Sequence, residues 1–316
     1  MSGGVIAAAS RRPDMHVGIH GSVGAVFPPG RLESALAGLD AELSVVSDSA
    51  DCDGVVTFAH EESLLETDWI HSIQAGVDRF PFARLREAGV TLTNSTGIHA
   101  ESVGETVAGY MLSFARRLHR HRDAQNEGRW SKPDWDEAFT LAGEQVCVVG
   151  LGTLGRGIAR RADALGMDVV GVRRSPLPVE HVRETYTTDR LGEAIADARF
   201  VVVTVPLTDA TRGLVGAAEL DTMRSDAYLV NVARGAVIDE AGLVDALGAG
   251  DIAGAALDTF ETEPLPESSP LWDFDEVIVT PHCAAFTVSY VERIADIVRE
   301  NVLRRQAGES LANEVV

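Results

Sequence analysis

The sequence predicts an α/β protein built from two parallel-sheet domains. Short β-rich runs alternate with helical segments from Val17 to Thr96, and a second such series begins at Val146. A helix-patterned stretch from Glu101 to about His121 separates the two series.

The opening MSGGVIAAASRR carries a short apolar piece with its arginines after it, so it reads as a tail before a strand at Val17 rather than a secretory signal. VGIHG, ELSVVS, GVVTFA, IHSIQ and TLTN then read as strands, with RLESALAGL as an intervening helix. Val103, Val107, Met111, Leu112, Phe114, Ala115 and Leu118 recur at helical spacing and predict one long helix that joins the domains. A polar stretch, QNEGRWSKPDWDEA, follows it. VCVVGLG, DVVGV, FVVVTVP, YLVNVA, IAGAALD and VIVTP predict six further strands in succession, and Val288 to Arg305 is again amphipathic and helical before the closing LANEVV.

The net charge of -21 and the pI near 4.7 repel phosphate backbones and anionic membranes, which argues against nucleic-acid and lipid partners and for a small substrate. No apolar run approaches the roughly 18 residues that span a bilayer. Of 27 basic residues only Lys132 is lysine. A surface dense in carboxylates and almost free of lysine stays hydrated at high salt, so a salt-loving, cytoplasmic source is expected. Cys52, Cys147 and Cys283 lack any CxxC pattern and suggest neither a disulfide framework nor a structural zinc site. Cys283 reads as a packed thiol rather than a nucleophile.

Val146 to Leu151 reads as a buried strand that runs into Gly150, Gly152 and Gly155 and then a helical run, RGIARRADALG. Strand, glycines and helix in this order are what pyrophosphate binding requires: a tight turn, a close backbone approach and close helix–strand packing. Amides of the first helical turn, near Thr153 and Leu154, then face the phosphates. The ribose reader belongs roughly 20 residues farther on, where Arg173, Arg174 and Ser175 stand. An acidic residue there suits the 2′-hydroxyl of NAD, whereas a guanidinium pair beside a hydroxyl suits the 2′-phosphate of NADP. NADP(H) is therefore expected over NAD(H).

Arg234, Asp258, Glu263 and His282 follow at strand ends of the same series, where ligands of open α/β sheets bind. Separately each suits a surface ion pair, a solvated loop or a structural contact; together, after a dinucleotide site, they suit hydride transfer. Arg234 would hold a substrate carboxylate and polarise its carbonyl. His282 would give and take the proton at the carbonyl oxygen, and Glu263 against it would favour the imidazolium and hold its orientation. Asp258 suits the nicotinamide carboxamide or tuning of the site. No metal ion is needed, since Arg234 and His282 already supply polarisation and a proton.

These segments together resemble the D-isomer-specific 2-hydroxyacid dehydrogenase family over nearly the whole chain. IQAGVD (73–78) is similar to its substrate loop, VGLGTLG to its cofactor motif, and VTVPLTDATRGLVG, NVARGAVID, AALDTFETEPLP, LWDFDEVIVTPH and LANEVV to the segments that complete it. The resemblance implies a flavodoxin-like substrate domain, residues 1–101 and 288–316, with an inserted Rossmann-type coenzyme domain, residues 102–287. It implies a catalytic arginine, glutamate and histidine at Arg234, Glu263 and His282, and substrate contacts by Ala75 and Gly76. Cofactor contacts are implied at Thr153, Leu154, Val205, Pro206, Thr211, Val232, Ala233, Arg234, Asp258, His282 and Ala285. A homodimer through the coenzyme domain and D stereochemistry are implied as well.

Arg173 departs from the Asp found in much of the family. Glu263 stands where formate-oxidising relatives carry Gln, which disfavours that activity. Phosphoglycerate-oxidising relatives often continue into a regulatory domain not present in this sequence, and the few basic residues around IQAGVDRF disfavour a phosphorylated substrate. His60, at the end of GVVTFA, suits either a substrate-sizing or a structural role. The leading expectation is an NADPH-dependent 2-oxo acid reductase; glyoxylate or hydroxypyruvate reduction is a close alternative, and a dinucleotide-sensing corepressor is one from another class.

Overall fold

Five short, mostly buried strands form the first sheet of the computed structural model, which describes residues 15–48 and 51–316. The expected N-terminal tail lies outside the described residues. The strands are His16–His20 (β1), Glu42–Val46 (β2), Gly54–Thr57 (β3), Trp69–Ser72 (β4) and Thr91–Asn94 (β5), with helices Pro29–Ala35 (α1) and Phe82–Ala88 (α2) between them. Their order is β2-β1-β3-β4-β5 and all pairs are parallel. This unit runs to Ile98 and resumes at Thr287 for the last helix, Tyr290–Ala307, while His99–Phe286 form a second compact unit.

That last helix buries Ile294, Ala295, Val298 and Val302 against Val17, Ile19, Leu32 and Leu36. The closing residues then pair with β5: Leu92 N donates to Val316 O at 2.9 Å and Val315 N to Leu92 O at 2.8 Å. Beneath them lies a buried polar row. Trp69 Nε1 donates to Thr93 Oγ1 (2.8 Å), and the His71 ring spans Thr93 Oγ1 (3.0 Å) and Ser95 Oγ (3.1 Å). Full burial pushes the His71 pKa from 6.5 down to about 3, because nothing nearby offsets the lost hydration of the imidazolium. The folded state therefore binds fewer protons than the unfolded chain between these values, and stability falls as pH drops from 6.5 toward 3, by up to ~1.4 kcal/mol per pH unit. Urea titrations at pH 7 and pH 5 should show this loss in the wild type and a flatter response in His71→Gln.

In the second unit the helices are Ala100–Ala115 (α3), Leu118–Asn126 (α4), Thr153–Ala164 (α5), Leu191–Ile195 (α6), Ala217–Thr222 (α7) and Glu240–Ala249 (α8). The strands are Gln145–Val149 (β6), Asp168–Val172 (β7), Glu184–Tyr186 (β8), Phe200–Val203 (β9), Tyr228–Asn231 (β10), Gly254–Leu257 (β11) and Val277–Val279 (β12), in the order β12-β11-β10-β9-β6-β7-β8 and all parallel.

Two sequence expectations are corrected here. The long helix is two helices, because Arg117 adopts the left-handed conformation (φ 56°) and, of α4, only Ala124 is buried. The apolar stripe ends with Ala115, and Leu118 stands half exposed. The six strands are seven: β8 is three residues at the sheet edge with no buried position, so it carries no hydrophobic pattern to read.

The strand order reverses at β6: the chain passes to β7 and β8 on one side, then crosses to β9 on the other. Neighbouring connections leave the sheet in opposite directions there, opening a crevice at the carboxyl ends of β6 and β9. Among the described residues no helix is long and apolar enough to cross a membrane.

Candidate active site

The crevice is floored by the chain that leaves β6. Gly150 turns with φ 101°, a conformation costly for residues with a Cβ, and its carbonyl accepts a 2.6 Å hydrogen bond from Thr204 Oγ1 just beyond β9. A Cβ on Gly155 would lie 1.9 Å from Gly150 O, so α5 can pack this tightly only on a glycine. A Cβ on Gly152 would meet nothing within 4 Å among the described residues. That opening, at the helix start, leaves room for a phosphate to approach the backbone. Gly152 offers no side-chain cap, so the first amides of α5, at Thr153 and Leu154, remain for a bound anion. These residues fit a dinucleotide pyrophosphate.

Arg173, Arg174 and Ser175 stand directly after β7, with Arg173 N bonded to Tyr186 O at 3.0 Å, so β8 fixes where this loop begins. Arg174 and Ser175 are exposed and Arg173 is half-buried. Neither guanidinium has a side-chain hydrogen bond or ion pair among the described residues, although most other arginines of this unit are paired.

Two loops bring Glu263 and His282 together, and the turn that carries Arg234 lies against the first of them. His282 Nδ1 lies 2.8 Å from Glu263 Oε2, while the other Glu263 oxygen accepts the Phe260 amide at 3.1 Å. The carboxylate is thus oriented on both sides. Both side chains are about two-fifths exposed, 40% for His282 and 38% for Glu263, so the pair is open to a reactant. Arg234 belongs to the turn after β10, and its Nη1 donates to Ala233 O at 2.8 Å. A Cβ on the next residue, Gly235, would sit 1.8 Å from the Phe260 carbonyl carbon, so the Arg234 turn and the Glu263 loop lie back to back.

Polar side chains hold these loops: Asn231 and Thr280, which the sequence reading did not single out, and Asp258, which it assigned to the nicotinamide carboxamide or to tuning of the site. Asn231 Nδ2 donates to Arg234 O (3.1 Å) and its Oδ1 accepts the Ala233 amide (3.0 Å). Asp258, only 2% exposed, accepts Thr280 Oγ1 (2.6 Å) and Cys283 N (2.9 Å) on Oδ1 and Ala284 N (3.0 Å) on Oδ2. The structure thus commits Asp258 to the loop that carries His282. The signal available for such a residue is a polar side chain at the end of an otherwise apolar strand, as at Asn231.

The remaining candidates are placed as follows. Val205, Pro206 and Thr211 form the loop beyond β9, which Thr211 closes by donating to Pro206 O at 2.6 Å. Val232 and Ala233 are nearly buried after β10, and Ala285 packs against the core beside Ala284. Burial, then the Asp258 charge, pushes the Cys283 thiol up, away from nucleophilic use. Ala75 and Gly76 belong to the first unit, where Asn94 Nδ2 donates to Ala75 O at 2.7 Å. His60, in the same unit, packs edge-on to Phe80 with 6.1 Å between ring centroids; burial lowers its pKa, and among the described residues neither ring nitrogen has a hydrogen-bond partner.

Comparison with known proteins places this architecture. The model of the D-isomer specific 2-hydroxyacid dehydrogenase NAD binding domain matches residues 108–284. A glyoxylate reductase from Thermofilum pendens is 32% identical over 291 residues, covering 90% of this chain and 84% of that protein. The crystal structure of a D-isomer specific 2-hydroxyacid dehydrogenase from Xanthobacter autotrophicus, in complex with NADPH and MES, is similar with a TM-score of 0.79 and 33% identity, covering 96% of this chain and 98% of that one. An NADPH-dependent glyoxylate/hydroxypyruvate reductase from Sinorhizobium meliloti, in complex with NADP and sulfate, has a TM-score of 0.80 and 28% identity, covering 96% and 98%. On its sequence and its fold alike, the chain belongs to the D-isomer-specific 2-hydroxyacid dehydrogenase family.

Proposed function

We propose that this protein is an NADPH-dependent reductase of small 2-oxo acids, of the glyoxylate and hydroxypyruvate class, releasing D-2-hydroxy acids. The observation that carries the reading is the Glu263–His282 pair, 2.8 Å apart and open to solvent in the same unit as the glycine loop. When bound, the dinucleotide supplies the hydride. Arg234 holds the substrate carboxylate and draws electron density from the carbonyl. With Nδ1 engaged by Glu263, His282 keeps Nε2 for the carbonyl oxygen and donates a proton there as the alkoxide forms. Glu263 fixes the tautomer of the ring and orients it.

The unpaired guanidinium groups at Arg173 and Arg174 support NADPH over NADH, since a 2′-phosphate offers both a charge-assisted partner. Absorbance of NADPH and of NADH, followed against straight, branched and aromatic 2-oxo acids, tests the reading. Turnover of glyoxylate or hydroxypyruvate with the higher kcat/KM for NADPH is expected. Oxidation with none of them would favour a dinucleotide sensor.

A cytoplasmic homodimer completes the proposal. Trp130 and Trp135, 95% and 93% exposed, project from the polar arm of the coenzyme-binding unit. Two bare indoles on one segment suit a second copy of the chain. Trp130→Ala/Trp135→Ala should halve the mass seen by light scattering, and an unchanged mass would remove the arm from the interface. The acidic, lysine-poor surface supports a salt-loving protein, so stability should fall from molar to millimolar salt; indifference to salt would remove that part.

A further inference from the structure

The loop that carries His282 is held by a chain of hydroxyls reaching back into α3. Tyr110, 6% exposed, places its phenol oxygen 2.6 Å from Thr280 Oγ1, and Thr280 Oγ1 donates to Asp258 Oδ1 at 2.6 Å. Thr280 has one hydroxyl proton, and it points at Asp258. The short contact to Tyr110 therefore requires the phenol to be the donor. Burial pushes the Tyr110 phenol up, so it stays protonated and keeps that role at working pH.

The donors run in one direction, from Tyr110 to Thr280 to Asp258, and converge on a carboxylate that also takes the amides of Cys283 and Ala284. Hydrogen bonds aligned this way polarise one another and strengthen the last, charge-assisted member. The held amides directly follow His282, whose backbone is in the left-handed region with φ 50°, so the loop needs outside constraint to stay there. A second tether from α3 acts on the same stretch: Thr106 Oγ1 donates to Ala284 O at 3.0 Å.

We propose that Tyr110 is a positioning residue for proton transfer: its phenol acts through Thr280 and Asp258 to fix the backbone that aims the His282 ring. It touches neither substrate nor cofactor. The inference rests on the proposed reductase reading, because that reading gives His282 its proton to deliver.

The test compares Tyr110→Phe, Thr280→Val, Thr280→Ser and the double variant Tyr110→Phe/Thr280→Val, assayed well below their melting temperatures. Tyr110→Phe should lower kcat about three- to tenfold, the worth of one buried hydrogen bond, with the Kd for NADPH within about twofold of wild type. Thr280→Val should lose at least as much, Thr280→Ser should restore most of it, and the double variant should be no slower than Thr280→Val alone, since the phenol acts only through that hydroxyl. A lower melting temperature with unchanged kcat in Tyr110→Phe, or losses that multiply in the double variant, would overturn the relay. If the wild type itself reduces no 2-oxo acid, the reductase reading fails separately. The relay is then decided by the ring-nitrogen NMR shifts of His282, which move in Tyr110→Phe and Thr280→Val if it exists and stay fixed in both if it does not.

Discussion

His282→Ala is expected to lower kcat by roughly 10²–10⁴-fold, the usual worth of a positioned general acid, while leaving the Kd for NADPH within about twofold. The separation follows from where the parts lie. The proposed pyrophosphate site comprises Gly150, Gly152, Gly155 and the first turn of α5, and the proposed ribose end the residues after β7. His282 comes from the loop after β12, in contact with Glu263 and held by Asp258. Removing the imidazole takes away the proton donor and leaves both ends of the nucleotide site intact. Glu263→Gln should fall in between: the amide oxygen still accepts from His282 Nδ1, but the bond is no longer charge-assisted and holds the ring less firmly. Normal turnover in His282→Ala would remove this residue from the chemistry.

The second large effect is on cofactor choice. In Arg173→Asp/Arg174→Ser the ratio of kcat/KM for NADPH over NADH should fall by roughly 10²-fold or more, since two charge-assisted contacts to a phosphate are each worth about 1.5–3 kcal/mol. Charge alone also acts: a carboxylate after β7 repels the 2′-phosphate and accepts a bond from the 2′-hydroxyl. NADPH turnover should fall and NADH turnover rise, a crossing of two curves that a general loss of folding cannot produce. A ratio unchanged by the double substitution would show that the two guanidinium groups do not read the ribose.

The parts of this molecule legible in the sequence are those whose physics is local. VCVV, FVVV and YLVN are buried on both faces in a parallel sheet, so they read as continuous apolar runs. The glycine loop is legible because strand, turn and helix succeed one another within a dozen residues. What escaped depends on distant neighbours. The edge strand β8 exists because β7 offers it a partner, not because of its own composition. The break at Arg117 lies inside a pattern that Leu118 appeared to extend. Tyr110 is one residue of a helix-patterned stretch, unmarked by its neighbours, and only the fold shows that its hydroxyl meets Thr280, 170 positions away. Glu263 and His282 were suggested by chemistry at strand ends; their approach to 2.8 Å joins the loops after β11 and β12 across 19 positions, which no local pattern states.

The central claim is direct hydride transfer to the carbonyl carbon of a 2-oxo acid, and isotope transfer tests it most directly. The purified protein would be given glyoxylate or hydroxypyruvate with NADPH deuterated at C4 on both faces, and the product analysed by mass spectrometry and NMR. The account predicts one deuterium at C2 of the hydroxy acid, in the wild type and, far more slowly, in His282→Ala. Hydroxy acid without deuterium at C2, or no hydroxy acid from any 2-oxo acid supplied, would contradict it.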